Sequence, residues 1–177
     1  PVILNVVNNQ WAISVPRAKQ NTARTLAQKG IAGGLPSIQV DGNDLFAVVH
    51  CMRESVRMAR ETGRPCFIEG VTYRLGDHTT ADDATRYRDA EELRRAWDRD
   101  GVKRLRLWLH DQGLWNADLE QQWQAECKER VEQAVNAYLA TEPEPATAML
   151  DSLFETLPAA LAGQRERLAS RSGGGES

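Results

Sequence analysis

Three short apolar runs alternate with two amphipathic stretches inside the first 73 residues, and this alternation narrows the fold more than any other feature of the chain. Residues 2–7 (VILNVV) are apolar and β-branched without strict polar alternation, the pattern of a strand buried on both faces. Asn8-Asn9-Gln10 ends the run, and Pro16 closes the following loop. Residues 21–29 read as a helix stopped by Gly30. Residues 37–40 (SIQV) read as a second strand, ended by Asp41-Gly42. Asn43 or Asp44 caps the next helix, whose apolar series is Leu45, Val48, Val49, Met52, Val56 and Ala59. Gly63 and Pro65 stop that helix, and residues 66–71 (CFIEGV) form a third strand. The order predicts an α/β fold, a parallel sheet flanked by helices with right-handed crossovers. Ligands of such sheets sit at the carboxyl ends of the strands. Two polar segments fall there: Asn8-Asn9 after the first strand, and residues 73–88 after the third.

Beyond Arg88 the pattern becomes purely helical. Asp89-x-x-Glu92 resembles a capping box, and two helical stretches split near Asp100-Gly101 and stop at Gly113. Asn116 caps a longer helix carrying Leu119, Trp123, Cys127, Val131, Ala134 and Tyr138, broken by Glu142-Pro143-Glu144-Pro145. A short helix is expected over residues 148–157. The expected organisation is therefore an α/β part over 1–88, a helical region over 89–160 and a disordered tail over 161–177.

Residues 73–88 hold one His, three Asp, three Arg and two Tyr with almost nothing apolar, so they cannot be core. They form either a solvated connection or a site loop. As a site, the arginines offer forked donors to an anion, and His78 offers a donor that titrates near neutral pH. A metal cluster of Asp77, His78, Asp82 and Asp83 matches no standard spacing, and the nearby arginines oppose a cation. The asparagine pair presents hard amide oxygens suited to Mg²⁺, or simply a turn.

These runs together resemble the α subunit (E1α) of thiamine-diphosphate-dependent 2-oxo acid dehydrogenases. The matching segments are Val6-Val7-Asn8-Asn9-Gln10-Trp11-Ala12-Ile13-Ser14, Val40-Asp41-Gly42-Asn43-Asp44, Ile68-Glu69-Gly70-Val71-Thr72-Tyr73-Arg74, and Gly76-Asp77-His78-Thr79-Thr80-Ala81-Asp82-Asp83 through Tyr87-Arg88. The resemblance implies the thiamine-diphosphate-binding fold, in part. The family's cofactor motif opens with Gly-Asp-Gly and closes with Asn-Asn. Only the close occurs here, so the chain is expected to be the carboxyl-terminal part of a longer subunit. Carried over, Asn9 would give its side-chain oxygen, and Trp11 its backbone carbonyl, to Mg²⁺. Ile13, Arg74 and His78 would join them in binding thiamine diphosphate, with His78 assisting acyl transfer to lipoamide. Asp82, Asp83, Tyr87 and Arg88 would order the loop. Thr79 takes the place of a regulatory serine in mitochondrial relatives, and kinase control is not expected.

The implied activity is oxidative decarboxylation of pyruvate with reductive acetylation of E2 lipoamide, as in bacterial pyruvate dehydrogenases. Branched-chain 2-oxo acid dehydrogenases share nearly the same motifs. The implied partners are an E1β subunit, in an α2β2 heterotetramer, and the E2 lipoyl domain. A chain holding half of the cofactor motif also admits a non-catalytic role in subunit contact.

A formal net charge of -3 and a pI of 5.7 offer no broad attraction to nucleic acid or to an anionic membrane. No apolar run approaches the length of a membrane span, and the three dispersed cysteines point to a reducing bacterial cytoplasm. The basic run Lys103-Arg104-Leu105-Arg106 reads as a solvated helix face. Trp97, Trp108, Trp115 and Trp123 read as core or subunit-interface residues, and His50 as a structural histidine within an apolar helix face.

Overall fold

A computed structural model describes residues 1–172 of the chain. The elements in order are β1 (Ile3–Asn8), β2 (Trp11–Ala12), β3 (Val15–Pro16), α1 (Arg17–Gln20), α2 (Ala27–Ala32), β4 (Ser37–Asp41), α3 (Leu45–Thr62), β5 (Cys66–Val71), a 3₁₀ turn (Ala84–Arg86), α4 (Ala90–Trp97), α5 (Gly101–Asp111), α6 (Ala117–Leu139), α7 (Ala148–Asp151) and α8 (Ala159–Ser172). The chain divides into two compact units, Pro1–Ala117 and Asp118–Ser177.

The first unit is the expected α/β fold. Its parallel sheet has the order β1-β5-β4, so the strand that comes last in sequence lies in the middle. Right-handed crossovers into such an order put α2 and α3 on opposite faces. Successive residues along β5 therefore face different layers: Phe67 and Glu69 meet Gly30 and Ala27 of α2, while Cys66 lies near Cys51 of α3. Cys66, Ile68 and Glu69 are buried, as a central strand requires.

Gly30 lies within α2 rather than ending it. A Cβ at this position would come within 2.3 Å of Ser37 Oγ and 2.7 Å of Phe67 Cβ. Its lack of a side chain lets α2 lie flat on the sheet. The helix expected over 21–29 forms only from Ala27 on: α1 ends at Gln20, where Asn21 is extended, residues 21–26 are a non-helical link, and α2 runs through Gly30 to Ala32. Arg17 Nη2 then donates to the carbonyls of Ala23 and Arg24 and fixes the link to α2.

α3 starts as expected, with Asp44 accepting from Ala47 N, and ends at Gly63 in the left-handed region at φ 69°. Of the expected apolar series only Ala59 is fully buried. The buried residues are Cys51, Ser55 and Ala59, whose small side chains allow close approach, while the Val48, Met52 and Val56 series lies half-buried beside them. His50 is exposed, which corrects the structural reading given to it.

β1 also departs from expectation. It is an edge strand with Leu4 43% and Val7 62% exposed, because among the described residues no element pairs with its outer side. The α/β unit extends past residue 88 to Ala117. Arg104 joins α5 to the β4–α3 turn by donating to Asp41 at 2.8 Å and to Asp44 at 3.0 Å. Gly101 meets the Asn43 backbone in the same place, and Trp108 stacks edge-on against Phe46 at 4.7 Å. Arg104 is thus consumed by ion pairing, and Lys103 pairs with Asp98. Trp97, Trp108 and Trp123 are exposed, so core packing does not describe them.

The second unit carries α7 as a single turn and α8 over most of the tail expected to be disordered. Ala, Leu, Gln, Glu and Arg dominate α8, and these are strong helix formers. Arg165 holds α8 to α7 through both oxygens of Asp151, at 2.5 and 3.1 Å. The Gly-rich end at 173–177, also expected to be disordered, lies outside the described residues.

Candidate active site

β1 delivers Asn8 and Asn9 to the carboxyl end of the sheet. Asn8 is buried, and its amide is used on both sides. Nδ2 donates to Glu69 Oε1 at 2.6 Å, and Oδ1 accepts from Gln10 N at 3.2 Å. Gln10 takes φ 70°, a left-handed conformation uncommon outside glycine, and reverses the chain. Asn9 Oδ1 accepts from Trp11 N at 3.0 Å. The two-residue strands β2 and β3 then form a hairpin whose turn includes Ile13 at φ 54°. This hairpin escapes a sequence reading because two-residue strands leave no periodicity.

β5 delivers the second segment alongside the first. Thr72 N donates to Asn8 O at 2.9 Å, and Arg74 N donates to Asn9 O at 3.1 Å. The Arg74 guanidinium crosses to the hairpin, where Nη2 donates to Ile13 O at 2.9 Å and to the Tyr87 hydroxyl at 2.7 Å. Tyr87 packs against the Trp11 ring at 5.5 Å and lies beneath Arg74. The Arg74 Nε and Nη1 atoms are buried and have no hydrogen-bond partner.

The polar loop folds on its own charges. Arg88 Nη1 donates to the carbonyls of Arg74 and Gly76, and its Nη2 donates to that of Leu75. Asp77 accepts from Ala84 N, and Asp83 caps the 3₁₀ turn by accepting from Thr85 N. Asp82 Oδ2 accepts from the Tyr87 hydroxyl at 2.5 Å and from His78 N at 2.8 Å. The Tyr87 bond, followed by the His78 amide, holds the Asp82 carboxyl below its ordinary value of 3.8. Burial and then Asp82 push the Tyr87 phenol above its ordinary value of 10.0. A continuous chain of contacts thus runs from Asn9 through Arg74, Tyr87 and Asp82 to the exposed His78.

A cavity of about 800 Å³ opens beside these segments, lined in part by Gln10, Trp11, Arg17, Asp41, Thr72 and Tyr73. Burial raises the Tyr73 phenol above its ordinary value of 10.0, so its hydroxyl stays a donor at neutral pH. Trp11 Nε1 and Tyr73 Oη are also buried, near each other and with Glu92 near Tyr73, but outside good hydrogen-bond geometry. Among the described residues no three His, Cys, Asp or Glu side chains group as a metal site. The three cysteines, Cys51, Cys66 and Cys127, are free, and no described helix is long and apolar enough to cross a membrane.

The sequence profile described as Dehydrogenase E1 component matches residues 1–146. The chain belongs to that family. It is 42% identical over 168 residues to the 3-methyl-2-oxobutanoate dehydrogenase subunit alpha of Mycobacterium tuberculosis, a match that covers 95% of this chain and 46% of that protein. It is 41% identical over 167 residues to the pyruvate dehydrogenase E1 component subunit alpha of Staphylococcus aureus, covering 94% of this chain and 45% of the relative. The chain therefore spans about half the length of the curated relatives it matches. Both relatives are alpha subunits of 2-oxo acid dehydrogenases, and the two identities are nearly equal.

Within the dehydrogenase E1 framework, Glu69 is the residue that sequence reasoning misses. It sits inside a matching run, yet it is fully buried and accepts from both Asn8 Nδ2 and Ala27 N. An acidic residue inside an otherwise apolar strand is the available signal.

Proposed function

We propose that this chain is the carboxyl-terminal part of an E1 alpha subunit, whose role in the whole enzyme is to hold the diphosphate end of thiamine diphosphate and to present the acyl group to a lipoyl domain. One observation carries this reading: two buried, unpartnered guanidinium atoms of Arg74 beside the asparagine turn, at the carboxyl rim of a parallel sheet. A buried donor without a partner is costly, and a bound anion would remove that cost. The donor set suits the cofactor. Asn9 Oδ1 and the Trp11 carbonyl are hard oxygens, which suit Mg²⁺ with phosphate and water completing its shell.

When bound, thiamine diphosphate supplies the nucleophilic carbon and electron sink for decarboxylating a 2-oxo acid. The chain's own residues orient and neutralise. Arg74 would take a phosphate oxygen while Tyr87 fixes its plane. His78, exposed on a loop pinned by Asp82 and Arg88, would donate a proton or hydrogen bond as the acyl group passes to the lipoyl sulfur. Ile13, whose carbonyl already holds Arg74, would shape the wall beside it. An E1β subunit and the E2 lipoyl domain are the partners this role requires.

Pyruvate is the proposed substrate, on the wording Asn-Asn-Gln-Trp-Ala-Ile-Ser-Val-Pro and Arg-Leu-Gly-Asp-His-Thr-Thr-Ala-Asp-Asp. The 42% identity to a 3-methyl-2-oxobutanoate dehydrogenase subunit favours a branched-chain substrate as the second reading. Co-expression of the full-length subunit with its β subunit, assayed with both 2-oxo acids, decides between them. Thiamine-dependent release of CO₂ from one of them is expected, and indifference to both would reject the reading. In the same enzyme His78→Ala should cut lipoyl acylation roughly a hundredfold, the usual scale for loss of an acid–base group. Decarboxylation to an artificial acceptor should fall much less. Undiminished acylation would remove the role given to His78.

A further inference from the structure

We infer that Glu69 is a positioning residue that sets the Asn8-Asn9-Gln10 turn, and through it the cation that Asn9 and Trp11 are proposed to hold; this rests on the cofactor reading above. Glu69 is fully buried, and neither of its partners is charged: Oε1 accepts from Asn8 Nδ2 at 2.6 Å, and Oε2 accepts from Ala27 N at 2.9 Å. A carboxylate is costly inside a strand and is retained at most positions only with good partners. Here its effect is to choose one of two orientations of the Asn8 amide. With Nδ2 toward Glu69, the Asn8 oxygen is left to accept from Gln10 N at 3.2 Å. The flipped amide would set its oxygen against the Glu69 carboxylate and its NH₂ against the Gln10 N–H. Neither contact is a hydrogen bond.

The chosen orientation stabilises Gln10 at φ 70°, where a non-glycine residue needs support. That reversal brings Trp11 N to Asn9 Oδ1 at 3.0 Å, so both proposed cation ligands derive their placement from one bond made by Glu69. The second bond anchors Glu69 itself. Ala27 reaches Oε2 because Gly30, three residues on, lets α2 close onto Phe67 and Ser37. The link spans 61 residues of sequence between Asn8 and Glu69 and joins the two site-bearing strands.

The chemistry provides a reciprocal test. In Glu69→Gln the side chain keeps one acceptor and gains a donor, so it cannot satisfy both Asn8 Nδ2 and Ala27 N. In the double variant N8D/E69Q every pair is restored with charge conserved. The amide introduced at position 69 would donate to the carboxylate introduced at position 8 and accept from Ala27 N. That carboxylate would still accept from Gln10 N. The assembled full-length enzyme is titrated with Mn²⁺ in the presence of thiamine diphosphate, binding being followed by water-proton relaxation, with thermal melting recorded in parallel.

Glu69→Gln is expected to weaken Mn²⁺ binding roughly tenfold, the equivalent of one buried hydrogen bond, and N8D/E69Q to recover most of it. A fall in melting temperature with unchanged Mn²⁺ affinity would reduce Glu69 to a structural residue and overturn the inference, as would a loss that the double variant does not repair. If Glu69→Gln does not fold, Asn8→Ala carries the same comparison: weakened Mn²⁺ binding supports the inference, and unchanged binding overturns it. Wild-type enzyme that binds no Mn²⁺ with thiamine diphosphate would instead sink the cofactor reading itself.

Discussion

The Tyr87 hydroxyl ties together distant parts of the 73–88 loop: it accepts from Arg74 and donates to Asp82. The directions of the two shifts define when that bond survives. The folded Asp82 value is lowered, so its contribution is complete above the ordinary 3.8 and vanishes as pH falls through the folded value. The folded Tyr87 value is raised, so its contribution is complete below the ordinary 10.0 and vanishes as pH rises through the folded value. The loop bearing His78 is thus held by this pair throughout the neutral range. Tyr87→Phe should raise the Asp82 value toward 3.8 and speed exchange of the His78 amide proton. Carboxyl-carbon NMR titration and hydrogen exchange measure the two, and an unmoved Asp82 would show that the backbone bonds suffice alone.

Among the elements, α2 depends on a residue with no side chain. Gly30→Ala would drive a methyl group into Ser37 Oγ and Phe67 Cβ, and overpacking of this kind costs about 1–3 kcal/mol. A lower urea midpoint is expected; an unchanged one would mean that α2 can lift without loss. The same position shows why the sequence is legible in some places and opaque in others. β4, β5 and α3 announce themselves by local chemistry, with Asp44 and Gly63 marking the helix ends. Asp89 and Asp100 do the same for α4 and α5. Gly30 looks like a helix stop, and only the sheet beneath it explains its place inside one. In the site, His78, Arg74 and the asparagines stand out because polar residues gather where strands end. The burial of Glu69 and the buried, unpartnered guanidinium atoms of Arg74 do not, since both arise from contacts between segments far apart in sequence.

At the scale of the molecule, the first unit presents an open strand edge at β1, flanked by exposed Val2, Leu4 and Val7. Unpaired apolar edges template association, and a lysine on such an edge suppresses it. The isolated chain should therefore self-associate at micromolar concentration, and Val7→Lys should reduce this in light scattering; equal scattering would place the sticky surface elsewhere. The strand order β1-β5-β4 has a further effect, on timing. Until residue 71 leaves the ribosome, β1 and β4 have no common neighbour in this unit. The β4–β5 pair forms by closing a loop of about thirty residues (Ser37 to Phe67), but the β1–β5 pair must close some sixty (Ile3 to Cys66), and such non-local pairing makes for slow folding. The arrival of β5 settles everything together: within a few residues it brings the missing strand, the carboxylate that fixes Asn8 and the start of the histidine loop. Formation of this three-stranded sheet and assembly of the candidate site are one event, so a nascent chain stalled short of β5 would lack both.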